Sequence, residues 1–219
     1  MNKILIIVLV IIIFIAIYYF FFYEKLNQRF YDYKQVFPFL EKFKHHNEYI
    51  KYDVLNIIKN DWKSWPEKYL YNNEDGWKVF PFYGFNIWID ENCKKCPTIY
   101  KLLKTIPGLR TASLSRLRPD TKLIPHQGWA ELSNNVLRCH YGIFVKDNCI
   151  IGCENEITEM RENEIIVFDD SKIHYAENNG NQDRIVLILD IDRPHYIEKG
   201  KSSVKNTTEL LHFIDIFKK

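Results

Sequence analysis

The sequence is poor in the features that define several common protein classes. Five cysteines among 219 residues are too few for a disulfide scaffold. The net charge is only +2, and the lysines are scattered among acidic residues, which gives little support for a nucleic-acid-binding surface. Internal repeats, Gly/Ser-rich linkers and long blocks of like charge are absent. Residues 24–219 are therefore expected to form one domain with a sizeable core.

One long apolar run stands at the amino terminus. Residues 4–23 carry no charge, and a helix of about 20 apolar residues spans the hydrocarbon core of a bilayer. The alternative is a cleaved signal peptide, whose apolar region is shorter and is followed by small residues, whereas bulky aromatic residues follow here. We predict an uncleaved transmembrane anchor over residues 1–23, and hence a single-pass membrane protein.

The next segment, residues 24–70, is predicted to be a helical lead-in. Apolar residues recur there mostly at spacings of three and four, as in Phe37, Leu40 and Phe43 and then in Ile50 and Val54. Two further helices are predicted from similar spacing, at residues 97–106 and 208–217.

Residues 71–219 are dominated by short apolar stretches separated by turn residues, a pattern typical of a β-sandwich or barrel. We predict a mainly β jelly roll with flanking α-helices. The predicted strands cover residues 77–89, 112–118, 136–145, 150–153, 164–168, 174–176 and 184–191.

Two histidines are candidate metal ligands. His126 follows the turn at Pro119-Asp120, and His174 follows the turn at Asp169-Asp170. Imidazole binds iron, zinc or copper well. A single histidine is more often a packed or surface residue, so the assignment depends on the neighbouring residues.

Those neighbours include two arginines. Arg138 and His140 are two residues apart on a predicted strand and so face the same side, while Arg184 begins the strand after His174. A buried arginine needs an anionic partner, because an unpaired buried charge is costly. A small dicarboxylate would meet that need. The alternative is pairing with protein carboxylates such as Asp169, Asp170 or Asp190.

Several blocks, read in order, resemble the aspartyl/asparaginyl β-hydroxylase family. They include SLSRLRPDTKLIPHQG from Ser113, LRCHYGI from Leu137, CIIGCENE from Cys149, IIVFDDSKIHY from Ile165 and RIVLILDIDRP from Arg184, with GWKVF from Gly76 upstream. Together they cover about half of the chain. The combination is highly specific, although each block alone is weak.

The resemblance implies a double-stranded β-helix that binds Fe(II) and 2-oxoglutarate. His126 and His174 match the family's two iron ligands. Most relatives in the wider superfamily add a carboxylate two residues after the first histidine, whereas this chain and the family have glycine there, at Gly128. Arg184 matches the arginine that binds the distal carboxylate of 2-oxoglutarate. Further co-substrate contacts are implied for Ser115, Arg138 and His140, and Trp77 is expected to line the same pocket.

The resemblance leaves the substrate open. The first hypothesis is hydroxylation of aspartyl or asparaginyl residues in a peptide or protein. The second is hydroxylation of lipid acyl chains, and the third is a non-catalytic binding domain. Retention of both histidines and both arginines counts against the third. The loop from Gln127 to Leu137 departs from the family pattern and is expected to affect substrate choice.

Two predictions concern the cell compartment. The family resemblance favours a lumenal catalytic domain, whereas the distribution of basic residues around the apolar run weakly favours the cytoplasm. Cys93-Lys94-Lys95-Cys96 resembles half of a zinc site or a redox pair, but no second such motif follows. We expect a loop there, with a disulfide in an oxidising compartment.

Overall fold

The computed structural model describes residues 3–26, 28–57 and 61–216. In the described residues β-strands outnumber α-helices, and the strands form a fold of two sheet layers. The helices are α1 (Lys3–Leu26), α2 (Tyr33–Val36), α3 (Glu41–His45), α4 (Asn47–Leu55), α5 (Asp90–Lys95), α6 (Pro97–Leu103), α7 (Ala130–Ser133) and α8 (Thr208–Ile216), with short 3₁₀ turns at Pro38–Leu40 and Lys68–Leu70. The strands are β1 (Phe30–Tyr31), β2 (Lys63–Ser64), β3 (Trp77–Gly84), β4 (Ile87–Trp88), β5 (Leu109–Leu117), β6 (Thr121–Lys122), β7 (Val136–Phe144), β8 (Cys149–Cys153), β9 (Glu156–Glu159), β10 (Ile165–Phe168), β11 (His174–Asn178) and β12 (Arg184–Asp192).

The strands form two antiparallel sheets. The larger has eight strands in the order β1-β10-β7-β12-β5-β3-β2, with β4 paired to β3. The smaller has four, in the order β6-β11-β8-β9. Side chains from both sheets meet in one buried cluster, which includes Leu117 and Val186 from the larger sheet and Ile151 and Ala176 from the smaller. This arrangement confirms the predicted mainly β jelly roll.

The larger sheet is buried on both faces. Along β12, Val186 and Ile188 point into the space between the sheets, while Leu187 and Leu189 pack on the opposite side with the helices. Alternate residues of a strand point to opposite faces, so a strand covered on both sides needs the nearly continuous apolar sequence found here. The helix-facing cluster includes Phe37, Leu40, Phe43, Ile50, Val54, Ile99 and Leu103.

The predicted lead-in, residues 24–70, joins this core. Phe37, Leu40 and Phe43 are buried in the helix-facing cluster, and β1 pairs with β10 at the end of the larger sheet. The strands β1, β2 and β6 were not predicted, because two residues are too few to show the alternation of apolar and polar side chains that marks a strand. The last helix begins at Thr208 as predicted, and its predicted end at Phe217 lies outside the described residues.

The predicted transmembrane anchor over residues 1–23 is wrong. Helix α1 covers most of that run, and its side chains are described over residues 5–19, where they are exposed. Within the part of the chain that the structure describes, no helix combines the length and the apolar character needed to cross a hydrocarbon core of about 30 Å. The prediction of a single-pass membrane protein depended on that anchor and is wrong for the same reason. The predicted localisation with a lumenal catalytic domain, which the family resemblance favoured, is wrong with it.

The Cys93–Cys96 prediction is also corrected. Cys93 lies within helix α5, and Cys96 lies between α5 and α6, so the segment is mainly helical. Both thiols are free and buried. Cys93 Sγ contacts the carbonyl oxygen of Phe82, and Cys96 Sγ contacts that of Asp53, which identifies both side chains as parts of the core.

Candidate active site

The two candidate metal ligands lie side by side. His174 is the first residue of β11, and His126 pairs with it through an isolated antiparallel bridge. The amide of His126 donates to the carbonyl of His174 at 2.9 Å, and the amide of His174 donates to the carbonyl of His126 at 2.8 Å. The ring centroids are 4.4 Å apart. The sequence separates these residues widely, and the sheet edge brings them together.

Each imidazole is oriented by a backbone carbonyl. Nδ1 of His126 donates to the carbonyl of Ile124 at 2.7 Å, and Nδ1 of His174 donates to that of Lys172 at 2.9 Å. A carbonyl can only accept, so the proton is fixed on Nδ1 and the lone pair on Nε2. Ligating histidines are usually held in this way.

Burial favours the neutral form of both rings. It lowers the pKa of His126, although part of that ring faces a cavity, and it lowers the pKa of His174 well below its usual range. Arg138 lowers both pKa values further. A neutral imidazole is the form that binds a metal.

The site brings together two histidines, His126 and His174, whose Nε2 atoms could bind a metal ion. Among the described residues, no group of three or more His, Cys, Asp or Glu side chains is arranged to hold a metal ion. Two neutral imidazoles with fixed Nε2 lone pairs fit an iron ion that takes its remaining ligands from co-substrate and water. The donor set therefore fits the iron implied by the sequence resemblance.

The carboxylate of Asp170 occupies the space beside Gly128. A Cβ atom on Gly128 would lie 1.8 Å from Oδ2 of Asp170. The Asp170 carboxylate lies 2.5 Å from Arg138 and 3.3 Å from Nε2 of His174, and burial raises its pKa. In the sequence Asp170 is part of a predicted turn, and nothing in the local pattern shows that its side chain reaches the histidine pair.

Gly128→Asp, which would introduce the carboxylate of a conventional triad, is expected to destabilise the protein. The new side chain would collide with Asp170, and steric overpacking typically costs about 1–3 kcal/mol. Urea denaturation should show a lower free energy of unfolding than in the wild type. Gly84→Ala is the matched control, since the nearest atom to its added Cβ is 3.9 Å away. A Gly128→Asp protein as stable as the wild type would contradict the close approach.

Arg184 carries a buried positive charge, and no carboxylate of the described residues forms a salt bridge with it. Its side chain is 2% exposed, and its Nη2 lies 3.2 Å from Nδ1 of His140. Among the described residues, its Nε and the Nε2 of His140 have no hydrogen-bond partner. Burial lowers the pKa of Arg184 to about 10, so the guanidinium stays charged at neutral pH. Burying such a charge is costly unless an anion or a set of hydrogen-bond acceptors compensates it.

Arg138 differs from Arg184, because protein carboxylates already neutralise it. Its Nε lies 2.8 Å from Asp190, and its Nη1 lies 2.5 Å from Asp170. Burial opposes its charge, but the two carboxylates outweigh that effect and raise the pKa of Arg138. The sequence left two alternatives for the arginines, a bound dicarboxylate or protein carboxylates. Arg138 pairs with the protein carboxylates Asp170 and Asp190, whereas Arg184 does not.

A small cavity between the sheets brings all seven predicted site residues together. It has a volume of about 30 Å³. Nε1 of Trp77 donates to Oγ of Ser115 at 2.9 Å in its wall. The predicted residues that line it are Trp77, Ser115, His126, Arg138, His140, His174 and Arg184.

A much larger cavity, of about 570 Å³, meets the small one at His126. Trp77, His126, Arg138 and Ile188 line both. Its walls are mainly aliphatic and aromatic, and they come from β3, the loop after β6 and helix α8. They include Leu70, Val79, Ile124, Trp129, Leu132, Leu210 and Ile214. The apolar face of α8, predicted to pack outside the jelly roll, thus forms part of this wall.

Three indole rings stand in a row at this wall. Trp65 stacks on Trp77 at 4.6 Å between centroids and on Trp129 at 5.7 Å. Trp129 belongs to the loop that the sequence singled out for substrate choice, and the structure places it in the large cavity. The sequence analysis did not identify Trp65 and the nearby Glu67 as site residues. They precede the motifs that resemble the family, and no local sequence pattern marks them.

Comparison with known proteins shows similarity to named hydroxylases. The chain is 35% identical over 121 residues to an ornithine lipid ester-linked acyl 2-hydroxylase of Rhizobium tropici, covering 54% of this chain and 42% of that protein. It is 28% identical over 145 residues to human aspartyl/asparaginyl β-hydroxylase, covering 64% of this chain and 19% of that protein. The chain thus spans less than half the length of these relatives.

A solved structure and a family model complete the comparison. A prolyl hydroxylase from Trichoplax adhaerens, solved with a peptide fragment of hypoxia inducible factor, aligns with a TM-score of 0.49 at 10% identity, covering 68% of this chain and 79% of that one. The model of the aspartyl/asparaginyl β-hydroxylase family matches residues 44–194, which hold all seven predicted site residues. The chain therefore belongs to the aspartyl/asparaginyl β-hydroxylase family of hydroxylases.

Proposed function

We propose that this chain is an Fe(II)- and 2-oxoglutarate-dependent dioxygenase that hydroxylates an aliphatic C–H bond. The observation that carries the proposal is Arg184, a buried cation without a carboxylate partner in the same cavity as the His126–His174 pair. A dicarboxylate co-substrate would place one carboxylate on the arginine and direct its other end towards the histidines. Membership of a hydroxylase family supports this reading.

The small cavity would hold the metal and the co-substrate, and the large cavity would hold the substrate. His126 and His174 would hold iron through Nε2, and Arg184 would bind the distal carboxylate of 2-oxoglutarate with help from His140 and Ser115. When bound, iron and 2-oxoglutarate supply oxygen activation coupled to decarboxylation, which releases succinate and carbon dioxide. The apolar walls of the large cavity would exclude water and orient the C–H bond next to the histidine pair.

The large cavity favours a lipid acyl chain as substrate. Its walls are mainly aliphatic and aromatic, as expected for a site that binds a long apolar group. Arg138 is the sole Lys or Arg in the described part of its wall, and Asp170 and Asp190 already neutralise it. An aspartate side chain would therefore enter without a free cation to pair with. The lipid hydroxylase relative from Rhizobium tropici adds support.

Aspartyl or asparaginyl residues of a protein remain the second candidate. The family match and the human relative favour it. An asparagine side chain is neutral and avoids the need for a cation, so an asparagine-containing peptide fits this cavity better than an aspartate-containing one.

A single assay separates these possibilities. The full chain would be incubated with Fe(II), 2-oxoglutarate and oxygen, with either an ornithine lipid or an EGF-like peptide that contains Asp and Asn. We expect succinate and a mass gain of one oxygen atom on the lipid. A gain on the peptide alone would reverse the order of the two candidates. Absence of succinate with both acceptors would contradict the dioxygenase proposal and favour a non-catalytic binding domain.

A further inference from the structure

Glu67 is a buried acid in the wall of the large cavity. It is 3% exposed and lies just before the 3₁₀ turn at Lys68–Leu70. Its Oε1 accepts three hydrogen bonds: from Oγ1 of Thr207 at 2.8 Å, from the hydroxyl of Tyr69 at 3.1 Å and from Nε1 of Trp129 at 3.3 Å. These donors fix the carboxyl group in one orientation.

Among the residues that the structure describes, no cationic side chain neutralises this carboxylate. Within the described ranges, Glu67 forms no salt bridge with a lysine, arginine or histidine, and its Oε2 receives no hydrogen bond. The other acid lining the cavity, Asp190, is paired with Arg138. The cavity therefore contains one acid whose charge is compensated only by neutral donors, and burying such a charge is costly.

Aromatic rings surround the same acid. Trp129 donates to Glu67 and stacks on Trp65, and Tyr69 completes the group. All four side chains line the large cavity. The indole N–H of Trp129 and the hydroxyl of Tyr69 lie in the planes of their rings, so both rings meet the carboxylate through their edges. The charge of Glu67 is therefore what would attract an organic cation, and the surrounding rings would contact its apolar groups.

We propose that Glu67 is a substrate-binding residue that recognises an ammonium group. The substrate class is then a cationic amphiphile, with its positive group at Glu67 and an aliphatic chain along the apolar wall. This inference deepens the proposed function, since it names the substrate class of the same site, but the binding step itself needs neither iron nor 2-oxoglutarate.

The alternative role for Glu67 is structural. Its hydrogen bonds join the segment before α8, through Thr207, to the loop that carries Trp129. Glu67→Gln separates the two roles, because an amide oxygen can still accept from these donors while the negative charge is removed. A structural role predicts equal effects on all ligands, whereas recognition of a cation predicts an effect on charged ligands alone.

The test compares octylamine with octanol, which share a chain length and differ in charge at neutral pH. Binding to the metal-free full chain would be followed by calorimetry and by the fluorescence of the tryptophans in the wall. We expect the wild type to bind octylamine at least about tenfold more tightly than octanol. Glu67→Gln should abolish this preference and leave the octanol affinity unchanged, whereas Glu67→Asp, which keeps the charge, should retain part of it.

Controls make each outcome decisive. Glu74→Gln removes an acid whose side chain is 88% exposed and should leave both affinities unchanged. Equal affinities of the wild type for the two probes, or a parallel loss of both in Glu67→Gln, would overturn the inference. If Glu67→Gln fails to fold, loss of the amine preference in a folded Glu67→Asp protein would overturn it instead.

The failure of this inference can be distinguished from the failure of the proposed function. Amine preference without succinate formation would support the inference and contradict the proposed function. Succinate formation without amine preference would support the proposed function and contradict the inference.

Discussion

Replacement of His126 by alanine is expected to abolish 2-oxoglutarate turnover. His126 and His174 are the two imidazoles proposed to bind the metal, so loss of His126 leaves a single protein ligand, His174. The measurement is succinate formation by the full chain with saturating Fe(II) and 2-oxoglutarate. Binding of Mn(II), followed by calorimetry without any turnover, should weaken in parallel.

His45→Ala provides the matched control. His45 lies at the exposed end of helix α3, far along the chain from the site, and its removal should leave succinate formation and Mn(II) binding unchanged. Undiminished turnover by the His126→Ala protein would remove the metal-ligand assignment and, with it, the proposed role of the histidine pair.

Arg184→Met is expected to raise the KM for 2-oxoglutarate by about 100-fold or more while making the protein more stable. Loss of a charge-assisted bidentate contact with a carboxylate accounts for the first effect, since about 2.7 kcal/mol corresponds to a factor of 100. The second effect arises because the unliganded protein buries this charge without a carboxylate. Replacing buried charges with apolar side chains of similar volume often stabilises a protein by about 1–4 kcal/mol.

Two measurements on the same protein test this pair of effects. Succinate formation over a range of 2-oxoglutarate concentrations gives KM, and urea denaturation without co-substrate gives the free energy of unfolding. Arg161→Met is the control, because the Arg161 side chain is 64% exposed and pairs with Glu159 at the surface. An unchanged KM would exclude Arg184 as the co-substrate anchor. A less stable Arg184→Met protein would show that the guanidinium is compensated in the free protein.

The sequence predicted the parts of the site that lie on regular strands. His174 and Arg184 begin strands, and Arg138 and His140 lie two residues apart within β7, so alternation decides which of these side chains face inward. The jelly roll follows from the same pattern, with strand limits within a few residues of those observed.

The contacts between residues that are distant in the sequence could not be predicted from the spacing of apolar and polar residues. Asp170 fills the space beside Gly128, and Asp190 pairs with Arg138. Both contacts depend on distances between strands, which local residue spacing does not determine. Glu67 stands in an irregular segment, and its burial results from contacts with Trp129 and Thr207, which are remote in sequence. The apolar run at the amino terminus shows the opposite error, because composition alone was read as a membrane span.

The bridge between His126 and His174 also has a consequence for the dynamics of the site. Each histidine's amide is held by the other's carbonyl, so a local opening that frees one backbone frees the other as well. The two ligands should therefore be lost and regained as one cooperative unit. A metal that requires both rings would oppose that opening, and the exchange of these two amide hydrogens with solvent would then slow by the same factor.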